Sequence, residues 1–170
     1  MMETKDLILD KGKIEDWKLM YENVWRHEET ARYMMWKPKQ TEQEGYEMTQ
    51  VLIEFQKVNP TMYFVYEKES KMPIGYAGMK EMDEGIFEDS GIAVGPRFCG
   101  KGYGKQILCD LLKQAFEERG AERFIYSCWA ENVISNNLAK SLGLKFIRSE
   151  EMIDQRSGKK FIMNYYEKNV

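Results

Sequence analysis

The sequence predicts a mixed α/β fold of the α+β kind: a mostly antiparallel mixed sheet of six to seven strands with three to four helices on both faces. Three observations carry that expectation. Residues 62–94 hold three strand-length apolar runs separated by short polar turns, the pattern of an antiparallel meander. Tyr103, Ile107, Leu108, Leu111, Leu112, Ala115 and Phe116 then recur at helical spacing, in a segment that runs to Arg119 and stops at Gly120. A further apolar run, Arg123–Trp129, follows, and strand, long helix, strand is a crossover that lays the later strand parallel beside the earlier one.

In chain order, Leu7–Leu9 suggests a short first strand, and Ile14, Trp17, Tyr21, Val24 and Trp25 mark the apolar face of a first helix. A second helix starts at Thr41, which with Glu44 makes a capping box; Met48, Val51, Leu52, Phe55 and Val58 supply its expected buried face, and Asn59-Pro60 ends it. Strands are expected at Met62–Tyr66, Ile74–Met79 and Ile86–Val94, with turns at Glu69–Lys71 and Asp83–Gly85. After the long helix and Arg123–Trp129 comes a short helix capped by Asn132 and ended by Gly143, with Ile134, Leu138 and Leu142 as its apolar stripe. Lys145–Ser149 and Phe161–Tyr166, flanking a Gln155–Gly158 turn, close the sheet as a hairpin.

The whole chain, 1–170, reads as one domain, long enough to bury roughly 70% of its unfolded surface. A net charge of −3 argues against a nucleic-acid partner and suits a cationic one such as an amine. Cys99, Cys109 and Cys128 show neither CxxC nor Cys/His spacing, so no metal site and no disulfide framework is expected, which points to a reducing cytoplasm. No apolar run approaches the 18 or so residues needed to cross a bilayer, and no membrane partner is expected. His27 is the single histidine, which leaves no Ser/His/Asp arrangement and no two-histidine metal site.

The chemistry is expected around the start of the long helix. Gly100, Gly102 and Gly104 alternate along the loop between the fourth strand and that helix, so main-chain N–H groups stand open to a bulky anion at the positive end of the helix dipole. Arg97, Lys101 and Lys105 add full charges to the same few residues. Gly95–Lys101 matches the first seven places of the nucleotide P-loop, but Gly102 stands where a Ser or Thr must hold Mg²⁺, and Lys105 breaks the dinucleotide G-x-G-x-x-G pattern. A nucleotide-dependent phosphotransferase is therefore the most distant alternative.

Gly100-Lys101-Gly102-Tyr103-Gly104, after a strand and opening an amphipathic helix, resembles the pyrophosphate-binding loop of the GNAT superfamily of acetyl-CoA-dependent N-acetyltransferases. Gly102 and Gly104 match the glycines of its Gln/Arg-x-x-Gly-x-Gly/Ala motif, whereas Cys99 holds the first place; the ribosomal-protein N-terminal acetyltransferases often carry an aromatic residue there. Asn132–Leu144 is similar to the family's Asn-x-x-Ser segment and the short helix ending in Gly-Phe, with Leu144 for the Phe. The resemblance covers essentially the whole chain and is nearest to the ribosomal-protein subgroup. It implies the GNAT fold, acetyl-CoA as co-substrate, a primary amine of a small molecule or a protein N-terminus as acceptor, and a possible homodimer. It also implies site roles. Arg97, Cys99, Gly100, Lys101, Gly102, Tyr103, Gly104 and Lys105 would hold the coenzyme, together with Ile92, Ala93 and Val94 through a strand splay, and with Asn132 and Asn136 on pantetheine. Tyr33, Met35 and Trp36 would line the acceptor cleft.

Acetylating an amine with a pKa near 10.4 at neutral pH needs a base, and a carboxylate is the usual one. Glu88 and Asp89 on the fourth strand are the candidates; alternation puts them on opposite faces, so at most one is expected to face the cleft. The thiolate also needs a proton. Many family members use a Tyr seven residues after the motif Asn, but that place holds Ala139, leaving Ser135 or a water. An acyl-CoA-binding sensor without turnover is the alternative that this departure raises.

Overall fold

A computed structural model describes residues Met1–Val170. Its strands are β1 (Met2–Glu3), β2 (Leu7–Asp10), β3 (Met62–Glu67), β4 (Pro73–Asp83), β5 (Ile86–Val94), β6 (Arg123–Trp129), β7 (Lys145–Ile153) and β8 (Lys160–Asn169). They form one sheet in the order β1-β2-β3-β4-β5-β6-β8-β7. Pairing is antiparallel from β1 to β5 and again among β6, β8 and β7; only β5 and β6 are parallel, as a crossover requires. The expected architecture is present, and the eighth strand is the two-residue edge strand β1.

The first helix, α1, is continuous but not uniform: a 3-10 turn at Ile14–Asp16, an α turn at Trp17–Met20 and a π turn at Tyr21–Trp25. A single turn α2 (Glu28–Ala31) follows, then α3 (Glu42–Val58), α4 (Tyr103–Lys113, extended by a π turn at Gln114–Glu118) and α5 (Val133–Ser141). None of these helices is long and apolar enough to cross a membrane.

Strand alternation splits the core in two. On β3, Tyr63 and Val65 join the buried cluster under α4, whereas Met62 and Phe64 join the cluster under α1 and α3. The α4 stripe is buried as its spacing predicts, Phe116 only in part.

Two expected stripes are rotated. In α3, Val51 and Val58 are exposed, and the inward positions are Gly45, Thr49, Leu52 and Gln56. The cause is the close approach of α1: a Cβ at Gly45 would overlap the Tyr21 ring, and the Thr49 hydroxyl accepts the Trp25 indole N–H at 3.0 Å. In α5, Ile134 is 84% exposed while Asn136 and Ala139 point inward, because the side chain of Asn136 is consumed by backbone carbonyls and by β8.

Candidate active site

The centre of the molecule is a gap in the sheet. The parallel ladder consists of Ile86↔Arg123, Phe87↔Phe124 and Glu88↔Ile125 and then ends, so β5 and β6 diverge from Asp89 onward. On the other edge of β5, Ala77 pairs with Ile92 and Met79 with Asp89, which leaves Ser90 and Gly91 opposite Gly78 alone. That is a β-bulge, and Gly91 takes its φ of +104°. The extra residue inverts the parity of the strand: Phe87 packs in the core under α4, and beyond the bulge Ile92 and Val94 pack on that same side while Ala93 joins the opposite cluster.

Main-chain direction follows from the same register. Gly95 N donates to Ile74 O on β4 at 2.8 Å, so with a period of two Ala93 also faces β4. The N–H groups of Ile92 and Val94 therefore point toward β6, where the ladder has stopped.

A cavity of about 650 Å³ passes through this gap. On β6, Tyr126 and Cys128 face the α4–α5 side, and Ser127 and Trp129 face away from it; all four line the cavity. Both carboxylates line it too, one from each side of the sheet. The expectation that at most one could do so fails because the cleft is a passage through the sheet and not a hollow on one face.

Glu88 shares a face with Lys80, its cross-strand neighbour, and burial raises its carboxyl above the usual range against the opposing pull of Lys80 and Arg148. Asp89 sits in the gap, its Oδ1 accepting Ser127 N–H at 2.8 Å. Burial, partly offset by the N–H groups of Ser127 and Gly91, pushes its pKa up to about 7.

Ser135, in the first turn of α5, lies with its Oγ 2.6 Å from the Tyr126 hydroxyl, and its N–H bonds the capping Asn132 Oδ1 at 3.3 Å. Tyr126 is the residue that the sequence reading missed; the available signal was its place between Phe124 and Cys128 on a buried face, where a phenol needs a polar partner. Burial, with the nearby Asp89 carboxyl, holds the Tyr126 hydroxyl protonated well above its ordinary range.

Asn132 lines the cavity, but Asn136 does not. The Asn136 amide donates to the carbonyls of Trp129 and Asn132, and its oxygen accepts from Asn164 at 2.9 Å and from Tyr166 at 2.6 Å. With both ends occupied, Asn136 is a joint between α5 and β8 and not a contact for a ligand.

The loop before α4 has the conformation its glycines predict. Gly100 and Gly102 have φ of +79° and +78°, and nothing lies within 4 Å of where either Cβ would be, so the loop presents bare main chain at the helix start. A pyrophosphate fits such a cradle. Arg97 and Lys105 are exposed beside it and make no ion pair. Lys101 is turned away: its ammonium lies 3.0 Å from Glu67, which also accepts the Tyr103 hydroxyl at 2.7 Å. These two residues anchor the loop to β3. Cys99 is exposed, with its thiol 3.7 Å from Val94 O.

The wall away from α4 is aromatic. Trp36 donates its indole N–H to the Tyr76 hydroxyl at 2.8 Å, Tyr33 lies 5.6 Å from Trp129, and Trp129 stacks on Phe161 at 3.8 Å. Met35 also lines the cavity, but from an exposed rim position. Arg156, in the β7–β8 turn, donates to the carbonyls of Ala31, Arg32 and Trp36 and is held by Asp154, so it ties the hairpin to the Tyr33–Trp36 segment. No group of three or more His, Cys, Asp or Glu side chains is gathered as a metal site would need.

The acetyltransferase (GNAT) domain family model matches residues 6–145. Among solved structures, a GNAT-family acetyltransferase from Bacillus anthracis is similar at a TM-score of 0.84 and 18% identity, over 99% of this chain and 97% of that one. The microcin C7 self-immunity acetyltransferase, in complex with acetyl-CoA and AMP, gives 0.81 at 17% identity over 98% and 94%. An acetyltransferase from Salmonella typhimurium that modifies the N-terminal serine of ribosomal protein L7/L12 gives 0.78 at 16% over 98% and 96%. At these identities the likeness is one of fold. No curated protein matches by sequence.

Proposed function

This chain belongs to the GNAT acetyltransferase domain family and is an acetyl-CoA-dependent acetyltransferase, and from that premise we propose that it acetylates a primary amine by direct attack on the thioester. The observation that carries the proposal is the passage at the sheet gap, which has a carboxylate on one side, a hydroxyl pair on the other and main-chain N–H groups between them.

Acetyl-CoA supplies the activated acetyl group, and Gly100, Gly102, Gly104, Arg97 and Lys105 would hold its pyrophosphate. Glu88 takes the proton of the incoming ammonium: it lies on the aromatic side of the sheet, and burial raises its proton affinity toward that of a useful base. The N–H group of Ile92 holds the carbonyl oxygen as negative charge develops, a fixed donor of the kind worth several kcal/mol, and that of Val94, about 7 Å farther along the strand, is left for a pantetheine carbonyl. The Tyr126–Ser135 pair gives a proton to the departing sulfur, and Asn132 orients Ser135. Asp89 positions the gap through Ser127. In carrying Ser135 but no Tyr at Ala139, the chain resembles the ribosomal-protein N-terminal acetyltransferases; that likeness concerns the leaving group and leaves the acceptor unassigned.

The test is thermal unfolding with acetyl-CoA, with CoA, and with ATP plus Mg²⁺. A ligand at about 100 times its Kd adds about 2.7 kcal/mol, a shift of several degrees. Stabilisation by the two coenzymes alone is expected, and Gly102→Asp, which sets an anion in the cradle, should abolish it in a folded protein. Stabilisation by ATP alone would overturn the assignment, and coenzyme binding without transfer to any amine would leave a binding module in its place.

A further inference from the structure

We infer that the acceptor is a monoamine carried on an aromatic body, an arylalkylamine, and not a polyamine, an aminoglycoside or a polar peptide N-terminus; this rests on the acetyltransferase reading above. Charge on the acceptor side limits what can enter it. Two carboxylates, Glu88 and Asp154, and two cations, Lys80 and Arg156, line it. Glu88 faces Lys80 across the β4–β5 pair, and Asp154 is held by Arg156 at 2.9 and 3.2 Å. Asp89 belongs to the other side of the sheet, bonded to Ser127. One ammonium, beside Glu88, is therefore what this chamber can neutralise.

A second ammonium would have to lie farther out, among Trp129, Phe161, Met152 and Met163. Thioethers offer it almost nothing. The indole is no refuge either, because one face of Trp129 is stacked by Phe161 and the Arg156 guanidinium already stands 5.8 Å from the ring. A half-buried, unpaired cation next to a fixed guanidinium loses water without gaining a counter-charge. An aromatic ring needs no counter-charge: ring edges and thioether sulfur are its preferred neighbours, and it displaces water from apolar walls.

The experiment measures thiol release from acetyl-CoA with phenethylamine, spermidine and a serine-initiated peptide as acceptors. A kcat/KM for phenethylamine at least about tenfold above the other two is expected, within the range that apolar pockets discriminate. Met152→Glu, on the partly exposed edge of the chamber, adds a carboxylate and should shift the ratio toward spermidine by a similar factor. Phe161→Leu should lower kcat/KM for phenethylamine but not for butylamine, and unchanged ratios in both folded variants would overturn the inference. Preference for spermidine or the peptide would overturn it while leaving acetyl transfer intact. If no amine is acetylated, saturation-transfer NMR separates the two readings. Phenethylamine bound in the wild-type chamber and weakened by Phe161→Leu would support the pocket and sink the enzymatic reading; no binding would sink the inference.

Discussion

Glu88 and Asp89 are neighbours with different physics, and substitution should separate them. Glu88→Gln is expected to lower kcat by about 10²-fold or more while leaving the stabilisation by acetyl-CoA unchanged; a wild-type rate would move the base to a water. Because burial raises the Glu88 carboxyl, the acid limb of the wild-type pH–rate profile should lie above the ordinary glutamate range, and the variant should lose it. Asp89 makes its prediction in stability. Its folded pKa of about 7 exceeds the ordinary aspartate value of 3.8, so between those values the folded state keeps a proton that the unfolded chain has released. Stability should therefore fall as pH rises through that window and level off above about 7. Asp89→Asn keeps an oxygen for the Ser127 N–H and should remove that slope; denaturant titrations at about pH 5 and about pH 8 read the difference, and parallel curves would contradict the assigned pKa. Both carboxylates were named from the sequence because they precede Ile92 on the strand that leads to the glycine loop, and both line the cavity. Tyr126 was not, since a phenol in an apolar strand looks like core until its partner is known, and Ser135 comes from another element. Asn136 misled for the opposite reason: its position fits a ligand contact, but only the fold reveals that Tyr166 and Asn164 already occupy it.

At the scale of elements, the strands and long helices followed from period and punctuation, and the places where the reading slipped are the places where two elements touch. The α3 stripe was chosen by hydropathy, but proximity to α1 chose Gly45 and Thr49 instead. The bulge at Ser90–Gly91 could not be read either, because a bulge is a property of two strands and the sequence gives one at a time. One glycine states the cost of such contacts. A Cβ at Gly95 would run into the carbonyl of Asn23, a backbone atom fixed in turn by the buried Asn23 side chain on Pro73 O. Gly95→Ala is therefore expected to destabilise the protein by about 1–3 kcal/mol, measurable by denaturant unfolding, even though alanine is otherwise acceptable there. An unchanged midpoint would mean that α1 can withdraw freely from the sheet.

Across the whole molecule, Arg156 joins parts that are far apart in sequence, from the β7–β8 turn to the carbonyls after α2. Arg156→Ala removes these bonds and frees Asp154, whose pKa the guanidinium holds down at about 2. Loss of charge-assisted bonds of this kind destabilises the fold, which denaturant unfolding reads as a lower midpoint. Hydrogen exchange should quicken in the hairpin and in residues 31–36 together; acceleration in the hairpin alone would show that the tether does not couple them. The sequence offered Gln155–Gly158 only as a turn, because nothing local tells a turn arginine which carbonyls it will reach.

The short β5–β6 ladder has a mechanical consequence. Three register pairs join a five-stranded plate to a three-stranded one, and all three lie at one end of the contact. The two plates thus meet along a seam that, past the Asp89–Ser127 bond, stands open like a pair of shears. From Glu88 to Ile92 the strand runs about 13 Å beyond the last pair, so a rotation of only a few degrees at the seam becomes a displacement near an ångström at the thioester position. Arg156 ties the outer β7–β8 hairpin back across the opening, limiting how far the blades can part while the pivot stays fixed in the core beneath α4.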